Sequence, residues 1–148
     1  MSSSSPSSSS PTSFSSSSIP SYAHVKEICN QVLQIDKSIR FAGIANNMGT
    51  LLAYKLREGL VPLLNEEEIQ NNIMKTVLRM KTREDYESKI GDVIYTFALY
   101  KRIKRASIPL KDDNYPDLAA LAVSFDMAAD HDTIIMDKIL PVLKNKTN

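Results

Sequence analysis

Leu118-Ala-Ala-Leu-Ala-Val-Ser-Phe125 is continuously apolar apart from one hydroxyl, and it is only eight residues long. A run this short and this uninterrupted reads as a central strand buried on both faces. Its three alanines leave a helical alternative open. A central strand needs paired neighbours at both edges and cover on both faces, and the rest of the chain reads as their supply. Ile39 to Asn46 and Thr50 to Arg57 are two strand-like runs around Asn47-Met48-Gly49. Asn and Gly tolerate the positive φ of a tight hairpin. Gly43 inside the first run predicts a bulge or a close approach, because it has no side chain to pack. Val93 to Tyr100 is rich in aromatic and β-branched residues, and Ile103 to Leu110 alternates. Pro109 suits a strand end, and Lys111 to Asp117 is a turn.

Cover comes from three amphipathic helices. Tyr22, Val25, Ile28, Cys29, Val32 and Ile35 recur at helical spacing, with Ser21 placed to cap them. Asn65 and Glu68 have capping-box spacing, and Glu66 to Glu68 crowd the positive end of the helix dipole. Ile69, Ile73, Val77 and Met80 line one face of that helix. It runs at least to Lys81, then either continues or yields to a second short helix before Gly91. Asp126 or Asp130 starts the last helix, and Pro141 is expected to kink or end it. Five strands joined largely by hairpins give an α+β fold with a five-stranded antiparallel sheet, in the order α-β-β-α-β-β-β-α.

Charge divides the chain in two. Met1 to Ala23 carry no Lys, Arg, Asp or Glu, and residues 1–21 are mostly serine with three prolines. That tail has too little apolar surface to offset about 1–2 kcal/mol of backbone entropy per residue and reads as disordered. It lacks the basic start and apolar stretch of a secretory signal. Residues 22–148 read as one domain. The net charge of +1 argues against a general nucleic-acid coat. No run of about 18 apolar residues spans a membrane. A lone cysteine, Cys29, rules out an internal disulfide framework.

The hairpin at Ile39–Arg57, the crossing helix at Asn65–Ile90, the three strands at Val93–Phe125 and the closing helix at Asp130–Lys144 together resemble the roadblock/profilin-like scaffold. The phrases Ile39-Arg-Phe-Ala-Gly-Ile-Ala-Asn-Asn-Met-Gly49 and Tyr100-Lys-Arg-Ile-Lys-Arg-Ala-Ser-Ile-Pro-Leu110 are similar to those of a small domain family of ammonia-oxidising archaea. The second resemblance implies no activity. The first implies dimerisation through a sheet edge and the crossing helix, and a small GTPase or other signalling protein as partner. It supplies no catalytic motif. PAS and GAF domains share much of the strand order but break the crossing helix into short pieces.

Chemistry is sparse. The four glycines are scattered, so no phosphate-cradling loop exists. Asp126, Asp130, His131, Asp132 and Asp137 have the types of a cation site, yet acids at a helix start are favoured by the dipole alone. Lys101, Arg102, Lys104 and Arg105 form the densest basic run, near Tyr95 and Tyr100. A stacking surface for nucleic acid and a lysine-rich guard against edge aggregation compete to explain it. Lys75, Arg79, Lys81 and Arg83 keep the long helix hydrated or meet an acidic partner. Met74 and Leu78 lie about 100° around from Ile73 and Val77, and form either a wide core stripe or a subunit contact together with Lys81. The expectation is a non-enzymatic, cytoplasmic, homodimeric adaptor or regulator without cofactor or metal. The alternative is a PAS-like sensor with a pocket lined by Tyr54, Tyr95, Phe97 and Tyr100.

Overall fold

A computed structural model describes residues 22–147. The serine-rich tail and its expected disorder, together with the Ser21 cap, lie outside them. The elements follow the expected order: α1 (Tyr22–Leu33), β1 (Ile39–Asn46), β2 (Leu51–Leu56), α2 (Glu66–Arg83), α3 (Glu87–Ile90), β3 (Thr96–Leu99), β4 (Lys104–Pro109) and β5 (Leu118–Phe125). A closing helical run follows, made of α4 (His131–Thr133), a π-helical turn (Ile134–Ile139) and α5 (Leu140–Thr147). All neighbouring strands are antiparallel, in the spatial order β2-β1-β5-β4-β3.

The alanines of β5 have a packing reason. Leu121, Val123 and Phe125 point into the main core under α1 and the closing helix. Ala122 lies on the opposite face, against Ile73 and Val77 of α2. Large residues on one face and a small one on the other let α2 sit close to the sheet, so the run is a strand and not a helix.

α2 begins with the expected box. Glu68 N–H donates to Asn65 Oδ1 (2.8 Å) and Asn65 N–H to Glu68 Oε1 (2.9 Å). After Arg83 the helix tightens through a 3₁₀ turn (Glu84–Tyr86) into α3, and Gly91 ends it at φ 93°. Two expectations need correction. β3 starts at Thr96 instead of Val93, because the preceding groups are used elsewhere: Val93 N–H donates to Glu87 Oε2 (3.4 Å), and the Tyr95 hydroxyl donates to Asp132. Pro141 does not end the closing helix, which continues to Thr147. The wider π turn immediately before it already departs from the i→i−4 ladder that a proline would break.

Asn46 builds the hairpin turn, its Oδ1 accepting from Met48 N–H (2.9 Å) and Thr50 N–H (3.0 Å). Gly49 completes it at φ 82°, where a Cβ would also lie 3.2 Å from the Met74 Cα. Gly49→Ala should therefore cost about 1–2 kcal/mol, read as a lower urea midpoint with an unchanged slope. An unchanged midpoint would show that the turn relaxes freely. Gly43 marks a close approach: a Cβ there would meet Phe41 Cζ at 2.8 Å, while the irregularity in pairing falls at Ile44/Ala45.

Candidate interaction surface

The two sheet edges differ. β2 is partly shielded, since Leu51 N–H donates to Gln70 Oε1 (3.0 Å) and Ala53 O accepts from Cys29 Sγ (3.6 Å). β3 is paired only with β4 among the described residues, and its Phe97 and Leu99 are 38% and 64% exposed. An open, partly apolar edge is a template for another strand.

β4 is pleated, so its side chains alternate between faces. Ala106 and Ile108 enter the main core, and Lys104 shares their face, where its Nζ donates to Ala129 O (2.7 Å). Arg105 points the other way, toward α2. There it meets Arg79 and Arg83 around a groove of about 110 Å³ that is also bordered by Thr76 and Tyr100. Its guanidinium lies 5.9 Å from the Tyr100 ring centroid, and Arg79 Nη2 donates to Thr76 Oγ1 (3.4 Å). Lys101 and Arg102 are exposed in the turn between β3 and β4. The contiguous basic run is thus split by the pleat, and Arg105 joins cations from another element. Helical spacing of four between Arg79 and Arg83, read with the parity of Arg105, is the sequence signal for this grouping.

Met74 and Leu78 are exposed, at 43% and 58%, so they are not part of the core stripe. Met74 abuts the Gly49 turn. Lys81 borders a separate cleft with Asn47 and Lys111. This flank of α2 faces away from the one that carries Thr76, Arg79 and Arg83 toward β3.

The four aromatics of the expected sensor pocket are divided between the two faces. Phe97 stacks on His131 (3.9 Å between centroids, 7° between planes) and Tyr95 bonds Asp132, both on the closing-helix side. Tyr54 stacks on Phe41 (5.7 Å), and its hydroxyl donates to Glu66 of α2 (3.0 Å). The apolar groove between the 60–64 loop, α2 and the sheet encloses about 70 Å³. Sites for drug-sized ligands hold roughly 300–1,000 Å³.

The acidic cluster is put to structural use. Arg57 Nη1 donates to Asp126 Oδ2 (2.7 Å) and Arg40 Nη1 to Asp126 Oδ1 (3.1 Å). The hydrogen bond from Arg57, seconded by Arg40, holds the Asp126 carboxyl below the ordinary range against a smaller opposing effect of burial. This clamp joins β1, the end of β2 and the start of the closing segment, and no local signal in the sequence announces it. Asp130 caps α4 by accepting from Thr133 N–H (3.4 Å). Among the described residues, no three His, Cys, Asp or Glu side chains are grouped to hold a metal. Cys29 is buried, and burial pushes its thiol up to about 12, which suppresses thiolate chemistry. No helix among the described residues is long and apolar enough to cross a membrane.

No family model matches this sequence, and no curated protein is significantly similar to it. The resemblance to the archaeal domain family therefore gains no support. Solved structures are similar at low identity. The gliding protein MglB of Thermus thermophilus superposes with a TM-score of 0.65 at 14% identity, over 88% of this chain and 96% of that one. A roadblock/LC7 domain from Streptomyces avermitilis gives 0.61 at 10%, over 81% and 92%. MglB of Myxococcus xanthus gives 0.58 at 9%, over 85% and 84%. The fold of this chain is roadblock-like.

Proposed function

We propose that this chain is a non-enzymatic protein-interaction module that forms a homodimer and acts as an adaptor or regulator in the cytoplasm. The observation that carries the reading is the open β3 edge. A second copy paired antiparallel along Thr96–Leu99 would continue the sheet to about ten strands and cover Phe97 and Leu99. One solved MglB structure is described as a tetrameric arrangement, which supports self-association as a use of this fold. A small GTPase or another signalling protein is the partner class suggested by the roadblock likeness.

The sensor alternative has less support, since its aromatics lie on two faces of the sheet. Light scattering of the full chain at tens of micromolar tests the dimer. Leu99→Lys places a charge at the edge and should shift the mass to that of a monomer, whereas Leu78→Lys should leave the dimer intact. A wild-type monomer would remove the reading. Dissociation by Leu78→Lys alone would move the interface to the Met74–Leu78 flank of α2.

A further inference from the structure

We infer that the groove between α2 and the β3–β4 hairpin is a docking site for an acidic segment of a partner protein. Three guanidinium groups, from Arg79, Arg83 and Arg105, converge there from two elements, and Tyr100 adds an aromatic wall. Among the described residues none of the three forms an ion pair, although acidic side chains elsewhere in the chain are paired with Arg40, Arg57 and Lys111. Arginine clusters left without counter-charge recognise carboxylates through forked, charge-assisted hydrogen bonds. Asn72 borders the groove as well, and its Oδ1 is buried with no hydrogen-bond partner.

The chemistry selects a short acidic peptide over the other occupants. A second copy related by a twofold axis would bring arginines toward arginines at this spot. A nucleic acid would run past three cations, and the opposite end of the same helix carries Glu66, Glu67 and Glu68, which repel a longer polyanion. The net charge of +1 offers no general attraction to phosphate. Thr96 and Ala98 of β3 border the groove as well, so it adjoins the edge along which a second copy would pair. The inference rests on the interaction-module reading but not on self-association, because one chain supplies every residue of the groove.

The test uses the full chain and fluorescein-labelled hexaglutamate in a low-salt anisotropy titration. Arg79→Glu/Arg83→Glu/Arg105→Glu should weaken binding by more than about tenfold. Lys75→Glu, which changes charge on the outer side of the same helix, should change it by less than about twofold. The milder Arg79→Gln/Arg83→Gln/Arg105→Gln, with its melting curve compared to the wild type, separates loss of the site from loss of the fold and should also weaken binding. Absence of saturable binding, equal losses in the Lys75 variant, or tighter binding of an oligothymidylate of equal length would overturn the inference. Light scattering on the same samples reports the dimer separately, so the two readings fail independently.

Discussion

Phe125→Ala is expected to lower the unfolding free energy by about 3–5 kcal/mol. Phe125 is fully buried, and no larger side chain is so completely enclosed among the described residues. It ends β5, opposite Ile39 on one neighbouring strand and Lys104 on the other, and packs in the core that joins the sheet to α1 and the closing helix. Truncation removes the transfer free energy of the ring and leaves a cavity between layers that cannot all move inward together. Domains of this size have net stabilities of about 5–15 kcal/mol, so the loss is a large fraction of the total. It should lower Tm by roughly 10 °C or more, measured by calorimetry. A loss under about 1 kcal/mol would mean that the helices collapse onto the gap and that this core is far less rigidly layered than the contacts imply.

The second large effect is acid sensitivity through Asp126. Its carboxyl is held below the ordinary range, first by the bond from Arg57. A depressed folded-state value stabilises the protein at pH above the unfolded value of about 3.9, and this contribution is lost as pH falls through the folded value. Asp126→Asn should cost about 1–2 kcal/mol at pH 7, an amount discounted because the carboxylate is 38% exposed. The Arg40 side chain, 16% exposed, would be left without its carboxylate. Urea unfolding of both proteins at neutral pH and near pH 3 checks the sign: the gap between them should narrow in acid. A gap of equal size at both pH values would show that the carboxylate charge contributes nothing and that only side-chain shape matters.

Much of this fold is legible along the chain because its signals are local. The capping box at Asn65 and Glu68, the turn residues Asn46 to Gly49 and the stop at Gly91 each act within a few residues, and each stands where local chemistry places it. The start of β3 and the course of the helix past Pro141 depart from the sequence expectation because distant or compensating partners decide them: Glu87 and Asp132 occupy the residues before Thr96, and a widened turn makes room for the proline. The Arg40–Asp126–Arg57 clamp is invisible in the sequence for the same reason, since its members are up to 86 residues apart.

By itself the sequence determined which runs become strands and helices and their order along the chain, apart from the start of β3 and the course of the closing helix, because periodicity, caps and turn residues are properties of short windows. Only the tertiary structure decided which charges become neighbours. Alternation along β4 already separates Lys104 from Arg105, but only the crossing of α2 brings Arg79 and Arg83 to the face that Arg105 occupies. Adjacency in the chain therefore says little about adjacency on the surface, since a strand reverses its side chains at every residue and a helix returns them every three or four.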